Sequence, residues 1–87
     1  MSDKATDWHV YILQCADGTL YTGIARDPCA RLQQHSAGKG AKYTRSRLPL
    51  VLVYRECSGS RGDALRREAE IKRLSRQEKH KLVQSVE

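Results

Sequence analysis

The segment Trp8–Ala25 (WHVYILQCADGTLYTGIA) contains the pattern that decides the fold. Trp8–Gln14 and Leu20–Ala25 are rich in β-branched and aromatic residues, which favour strands. Between these two runs lie Asp17 and Gly18, a dipeptide that is typical of the tight turn of a β-hairpin. The sequence therefore predicts two antiparallel strands joined by a short turn.

One more strand and three helices are predicted after the hairpin, from cap residues, apolar runs and turn residues. The first helix runs from Pro28 to about Ser36, the second is opened by Ser60-x-x-Asp63 and ends near Leu74, and the last is opened by the capping box Ser75-x-x-Glu78. A loop over Gly38–Arg47 and a buried strand over Leu50–Tyr54 lie between the first helix and the second. The order β-β-α-β-α-α predicts one α/β domain of the α+β class over residues 8–87, after a loose tail over residues 1–7.

Length and composition exclude several classes of protein. A chain of 87 residues and 9.9 kDa has room for one small domain. It contains no apolar run of the ~18–20 residues that a membrane helix needs and no signal-peptide pattern, so we expect no membrane partner. The three cysteines, Cys15, Cys29 and Cys57, are odd in number and form no C-x-x-C pair. We therefore expect reduced, mostly buried thiols and a cytoplasmic protein.

The net charge of +6 is concentrated in one part of the chain. Residues 28–55 hold six basic side chains and no acidic one, while the rest of the chain carries ten of each sign. The six are Arg31, Lys39, Lys42, Arg45, Arg47 and Arg55. Such a block suits a phosphate-rich partner, DNA first and RNA as an alternative. The alternative interpretation is a solvated basic loop that has no phosphate-rich partner.

Glu68 occupies an unusual place on the predicted third helix. At about 100° per residue, it falls near the middle of an apolar arc that runs from Ala64 through Leu65 to Leu74. A carboxylate that faces a core must be paired, hydrogen-bonded or bound to a metal. One interpretation is a functional site; the other is a local ion pair with Lys72, four residues further on.

Polar and aromatic side chains on the first three elements are further candidates. Tyr11 and Tyr21 lie on the two hairpin strands and should be close across the ladder, although sheet tyrosines are usually structural. Gly23 indicates a bulge or a close approach of the backbone to another group. Arg31 and His35 are spaced i, i+4 and share one helix face, which alternatively faces solvent.

The order of these pieces resembles the GIY-YIG nuclease superfamily. The resemblance rests on Val10-Tyr11-Ile12, Tyr21-Thr22-Gly23, Arg31, His35 and Glu68. More narrowly, the stretches RLQQHSAGKGAKYTR and ALRREAEIKRLSRQEK are similar to the small stand-alone bacterial branch of YhbQ-like proteins. The resemblance implies a three-stranded antiparallel sheet flanked by helices and metal-dependent hydrolysis of DNA.

The resemblance also implies a role for each site residue. Glu68 would hold one divalent cation, Mg²⁺ or Mn²⁺, and Arg31 would contact the scissile phosphate. Tyr11 and Tyr21 would be the two motif tyrosines, one of which assists deprotonation of the attacking water. His35 would help in proton transfer or phosphate binding. Because a phenol has an ordinary pKa near 10, the tyrosine must be acidified by positive charge or lose its proton in concert with the attack.

The loop after the first helix would then form a phosphate-binding lip. Its candidate nucleic-acid contacts are Lys39, Lys42, Tyr43, Arg45 and Arg47. Tyr43 either stacks on an unpaired base or packs into the fold. Three positions depart from the family pattern: His9 replaces the motif glycine, Ser36 stands where asparagine is frequent, and Ile24 stands where some relatives have lysine. Two other functions stay open, a non-cleaving nucleic-acid-binding module and an adaptor that docks a partner protein.

Overall fold

The computed structural model describes residues 7–85, which form a three-stranded sheet covered by helices. The strands are β1 (Trp8–Gln14), β2 (Leu20–Ala25) and β3 (Val51–Gly59), and the helices are α1 (Pro28–Ser36), α2 (Lys42–Arg45), α3 (Arg61–Lys72) and α4 (Arg76–Gln84). Both strand pairs are antiparallel and the order is β2-β1-β3, so β1 is the central strand. This confirms the predicted fold class. The tail predicted over residues 1–7 lies outside the described residues, apart from its last position.

The predicted hairpin is present and has an unbroken register. Tyr11 lies opposite Gly23, and Leu13 lies opposite Tyr21. Gly18 has φ of 84°, a left-handed conformation that glycine adopts without a steric penalty. The two tyrosines are therefore diagonal neighbours on one face of the sheet, not a direct pair.

The central strand is buried on both faces. Val10 and Ile12 are completely buried on one face, where they form a core with Ala64 and Ile71 of α3. Tyr11, between them in sequence, points to the other face, because successive side chains of a strand alternate. This alternation separates an apolar layer under α3 from the layer that contains the tyrosines.

The predicted helix starts are confirmed by their caps. The carboxylate of Asp27 accepts hydrogen bonds from the backbone N–H groups of Cys29 and Ala30, both at 3.1 Å. The hydroxyl of Ser60 caps α3 in the same way. The reciprocal capping box of Ser75 opens α4. These side chains satisfy backbone donors that the first turn of a helix leaves unpaired.

Three predicted boundaries need correction. The predicted loop Gly38–Arg47 contains the short helix α2. The predicted strand at Leu50–Tyr54 runs on to Gly59, and it is an edge strand that is only half-buried, with Val51 58% exposed. Its apolar residues contribute to both faces of the sheet, Val53 and Tyr54 to the layer under α3 and Leu52 to the layer of Tyr11, although the strand as a whole is only partly buried. α3 ends at Lys72, because a 3₁₀-like turn and then the N-cap of α4 follow it.

Two predictions about burial are also wrong in part. Leu65 was expected on the core side of α3, but it is 39% exposed. Of the three cysteines, only Cys15 is buried; Cys29 and Cys57 are exposed. No helix within residues 7–85 combines the length and the apolar character required to cross a membrane.

Two buried threonines allow a matched test of the polar interior. The hydroxyl of Thr22 has no hydrogen-bond partner among the described residues, whereas that of Thr44 donates to the carbonyl of Ala41 at 2.8 Å. We expect Thr22→Val to raise the free energy of unfolding by about 1 kcal/mol, because it removes an unpaired buried polar group. Thr44→Val should lower it by about 1–3 kcal/mol. Urea unfolding measures both; equal effects of the two substitutions would contradict this account.

Candidate active site

A buried hydrogen bond joins the central strand to the first helix. The phenol oxygen of Tyr11 lies 3.1 Å from Nε2 of His35. Tyr11 is 1% exposed and His35 is fully buried. Because Arg31 and His35 share a face of α1, the sheet-facing side of this helix carries both residues toward the tyrosine layer. On this helix face His35 therefore points inward, while Arg31 is partly exposed.

The other side of the His35 ring is held by the segment around α2. Nδ1 lies 2.9 Å from the hydroxyl of Thr44 and 3.3 Å from the backbone nitrogen of Ala41. A Cβ atom on Gly40 would collide with Nδ1, so the backbone can approach the ring only at a glycine. The short helix α2 thus places Thr44 as the second partner of His35.

Each of the two tautomers of His35 satisfies a different subset of these contacts. With the proton on Nδ1, the ring donates to Thr44, whose hydroxyl donates to the Ala41 carbonyl, and Nε2 accepts from Tyr11, while the Ala41 N–H has no acceptor at Nδ1. With the proton on Nε2, the Ala41 N–H donates to Nδ1 and the ring donates to Tyr11. The two forms differ in the direction of the Tyr11–His35 hydrogen bond.

An aromatic cluster extends from His35 toward the surface. The ring of Tyr21 meets that of His35 edge-on, with centroids 5.4 Å apart, and stacks on Tyr43 at 6.0 Å. The guanidinium of Arg47 lies 4.0 Å from the centroid of Tyr43. The structure thus brings together four predicted site residues, from the buried His35 to the half-exposed Tyr43.

The charges of Arg31 and Glu68 both act on the Tyr11 phenol. The pKa of Tyr11 is raised to about 12, chiefly by burial and then by the charge of Tyr21. A hydrogen bond and the charge of Arg31 lower the pKa of Tyr11, while the charge of Glu68 raises it. Burial and then the positive charge of Arg31 lower the pKa of His35. At Tyr11 the lowering of the pKa by Arg31 is smaller than its raising by burial. The phenol is therefore less acidic than usual, contrary to the acidified tyrosine considered from the sequence.

Glu68 is mostly shielded from solvent on α3. Its side chain is 19% exposed, and its Oε2 lies 3.3 Å from Nζ of Lys72. The ion pair considered from the sequence is therefore present. Within residues 7–85 no group of three or more His, Cys, Asp or Glu side chains is close enough to hold a metal unaided. Glu68 is the carboxylate whose charge reaches Tyr11.

The basic loop divides into exposed and engaged side chains. Lys39, Lys42 and Arg45 are exposed. Arg47 instead donates from Nε to Asp17 at 3.1 Å and from NH1 to the Tyr43 carbonyl at 2.9 Å. Arg47 therefore ties the hairpin turn to α2, and it holds Tyr43 in place.

Comparison with known families confirms the family that the sequence resembles. A family profile described as the GIY-YIG catalytic domain matches residues 7–81. The chain belongs to the GIY-YIG family. Among individual proteins, a UPF0213 protein of Staphylococcus haemolyticus is 53% identical over 76 residues, which cover 87% of this chain and 93% of that protein. A UPF0213 protein of Desulfotalea psychrophila is 54% identical over 81 residues, covering 92% and 74%.

Two solved structures resemble this GIY-YIG domain in fold and in sequence. The solution NMR structure of a UPF0213 protein from Bacillus halodurans is 46% identical, with a TM-score of 0.61, and the match covers 93% of this chain and 86% of that one. The solution NMR structure of a protein from E. faecalis is 34% identical, with a TM-score of 0.63, and coverages of 98% and 90%. These similarities identify the small bacterial branch of GIY-YIG proteins.

Sequence reasoning missed two residues that support the GIY-YIG site. Thr44 was quoted within the KYTR stretch but given no role, because nothing in a predicted loop indicates that its hydroxyl reaches back nine residues to His35. Gly40 is not among the candidate residues of the sequence analysis, yet it makes room for the His35 ring. Gly23 was recognised as a close-approach position, and the group that approaches it is the phenol of Tyr11.

Substitution at Gly23 tests that close approach. A Cβ there would lie 2.6 Å from the phenol oxygen of Tyr11, so Gly23→Ala must displace the ring. We expect a loss of about 1–3 kcal/mol in the free energy of unfolding, as for other overpacked interiors. Gly62→Ala on α3, where the nearest atom is 3.9 Å away, is the control and should be neutral or stabilising by up to about 1 kcal/mol. Similar losses in both variants would argue against the clash.

The protonation of His35 gives a second test. The unfolded chain takes up a proton on this residue near pH 6.5, but the folded chain does so at lower pH, because burial and Arg31 lower the pKa of His35. The free energy of unfolding should therefore fall as the pH drops below about 6.5. An NMR titration of the imidazole should give a midpoint below 6.5, and Arg31→Gln should raise it. A midpoint at or above 6.5 would refute the assignment.

Proposed function

We propose that this GIY-YIG protein is a metal-dependent endonuclease that hydrolyses phosphodiester bonds of DNA with low sequence specificity. The observation that carries the proposal is the hydrogen bond between buried Tyr11 and His35, on a phenol that also feels the charges of Arg31 and Glu68. A binding surface has no need of a buried imidazole partner for a tyrosine. A hydrolase needs a proton acceptor next to fixed positive charge.

In the proposed reaction His35 is the final acceptor of the proton from water. As the water oxygen bonds to phosphorus, its proton moves to the Tyr11 phenol oxygen while the phenol proton moves to Nε2 of His35. The bond from phosphorus to the leaving oxygen breaks, and that oxygen takes a proton from solvent. This route uses the tautomer in which Nδ1–H donates to Thr44. It also requires neutral His35, which its lowered pKa favours at neutral pH.

The raised pKa of Tyr11 makes this concerted route necessary. With a pKa of about 12, roughly one molecule in 100,000 carries the phenolate at pH 7. A pre-formed phenolate would therefore be far too rare to act as the base. Transfer through the phenol avoids that charged form, because the proton arrives at Tyr11 as another leaves. Tyr21, which contacts the same imidazole ring, would keep the pair shielded from bulk water.

Arg31 has the chemistry required to contact the scissile phosphate. Its guanidinium remains charged at all relevant pH values and offers paired donors that match phosphate oxygens. Its NH1 donates to Gln34 at 2.7 Å, which orients the side chain along α1. As negative charge develops on the phosphoryl oxygens, Arg31 would offset it.

Glu68 fits a single-carboxylate site for Mg²⁺ or Mn²⁺. A hard cation of this kind usually takes one or two carboxylates and fills its other positions with water and phosphate oxygens. When bound, the ion would supply positive charge to the transferring group. Oε2 of Glu68 is paired with Nζ of Lys72, so a cation held at Oε2 would replace that ammonium group.

The exposed basic loop supports nucleic-acid binding beside this site. We propose that Lys39, Lys42 and Arg45 contact phosphates, and that Tyr43 and Arg47 form the stacked platform between these cations and Tyr21. Contacts to the backbone position a nucleic acid without reading its sequence. The side chains of Cys29 and Cys57 are exposed, and we propose that the protein acts in the cytoplasm, where exposed thiols stay reduced.

A cleavage assay with matched variants tests the proposal. Labelled single-stranded, duplex and branched DNAs are incubated with Mg²⁺ or Mn²⁺, with EDTA as the metal-free control. We expect Glu68→Gln to lower the cleavage rate at least ~100-fold, because it removes the cation ligand, with little change in DNA affinity. Glu70→Gln makes the same chemical change on the exposed side of α3 and should keep wild-type activity.

The outcomes separate the competing functions. Tight, salt-dependent DNA binding without cleavage under either metal would replace the nuclease with a non-cleaving binding module. Equal rates for Glu68→Gln and Glu70→Gln would remove Glu68 from the metal site. RNA cleavage in place of DNA cleavage would change the substrate but not the chemistry, and cleavage only with an added protein would indicate an adaptor.

A further inference from the structure

A groove runs along the free edge of β2, next to the aromatic cluster. Its volume is about 400 Å³. Its walls come from β2, from α2 and from the two C-terminal helices, and its lining residues are Leu20, Tyr21, Thr22, Tyr43, Lys72 and Lys79. Tyr21 also contacts His35, so one end of this edge groove opens at the candidate active site.

A smaller hollow extends the edge groove toward the start of α4. It measures about 140 Å³ and shares Leu20 and Lys79 with the groove. Its other lining residues are Thr19 and Arg76. The guanidinium of Arg76 approaches the hairpin turn and would lie 3.9 Å from a Cβ on Gly18. The two depressions therefore form one track from Tyr43 to Arg76.

Lys72 on this track is paired with Glu68, so the unpaired positive charge of the track comes from Arg76 and Lys79. Among the described residues, no carboxylate lines either depression. Within residues 7–85, neither Arg76 nor Lys79 forms an ion pair, because nearby acidic side chains are engaged elsewhere. Glu70 pairs with Arg67, and Glu78 closes the capping box of α4. The track is thus complementary to a ligand that carries repeated negative charge.

We propose that the edge groove binds one unpaired strand of the nucleic-acid substrate as it leaves the active site, with Lys79 and Arg76 contacting its phosphates. The proposal rests on the proposed function and adds a substrate class to it: nucleic acid that is single-stranded at the site. Lys79 and Arg76 are three residues apart on α4, so their side chains lie on one face and can follow one backbone.

The size of the groove favours a single strand over a duplex. A volume of about 400 Å³ is in the range of a pocket for one small ligand, such as a nucleotide. Tyr21 and Tyr43 supply aromatic surface at the end nearest the active site, as is typical of sites for unpaired strands. The exposed cations Lys39, Lys42 and Arg45 lie on the α1–α2 side, so the strand would have basic contacts on both sides of the reacting phosphate.

Charge-neutral variants of α4 test the proposal. Affinity for an oligothymidylate of eight nucleotides is measured over a series of salt concentrations, in EDTA to prevent cleavage. We expect Lys79→Gln and Arg76→Gln each to weaken binding roughly 3–10-fold and to reduce the slope of log K against log salt by about 0.7. Lys81→Gln removes the same charge from an exposed position on α4 that lines neither depression, and it should change affinity less than about twofold.

A second measurement locates the strand directly. In an NMR titration with the same oligothymidylate, the backbone amides of Thr19–Thr22 and of Arg76 and Lys79 should shift, and that of Lys81 should not. The spectra also verify that each variant remains folded. For a duplex of equal length, the affinities of Lys79→Gln and Lys81→Gln should agree within about twofold.

The failure of this inference is distinguishable from failure of the proposed function. If the wild type binds or cleaves DNA but Lys79→Gln and Arg76→Gln behave like Lys81→Gln, the groove is not the strand site and the nuclease proposal stands. The same holds if their effect appears only with the duplex. If the wild type binds none of these nucleic acids and cleaves none with Mg²⁺ or Mn²⁺, both proposals are overturned.

Discussion

The arrangement of the site depends on the burial of one imidazole. His35 is fully excluded from solvent, and a polar ring in such a place needs a hydrogen-bond partner at each nitrogen. Tyr11 of the central strand provides one partner, and Thr44 of α2 provides the other. Because these residues come from three separate elements, satisfying the ring fixes β1, α1 and α2 relative to one another. The packing of the segment after α1 is therefore required to complete the hydrogen bonds of the His35 ring.

The fold could be predicted from local signals, and its exceptions have physical causes. The hairpin, the helix starts and the element order follow from the Asp17-Gly18 turn and from cap residues, which act within a few positions of themselves. The strand β3 was misjudged because an apolar run does not reveal whether a strand lies at the centre or the edge of a sheet. The helix α2 was missed because its stability comes from Thr44 bonding to His35, a contact nine residues away.

For the site, as for the fold, the sequence indicates the residues, whereas the contacts between residues far apart in the chain require the structure. Resemblance to a family supplied the candidate residues, and the structure supplied their relations: Tyr11 donates to or accepts from His35, and its environment makes it less acidic, not more. Charge counting located the basic loop but missed α4. Outside residues 28–55 the charges balance in number, but Glu70 and Glu78 are engaged with their own neighbours, so Arg76 and Lys79 are left beside the groove.

The position of β2 at the edge of the sheet has a consequence for self-association. An edge strand presents unpaired backbone donors and acceptors, which invite pairing with a strand of another molecule. Lys72 and Lys79 stand along this edge, where a second copy of the chain would bring its own lysines against them. Like-charge repulsion of this kind is one of the devices that keep open sheets monomeric. Replacing these lysines by neutral side chains would therefore leave the edge of β2 open to pairing with a second copy and lower the solubility of the folded protein.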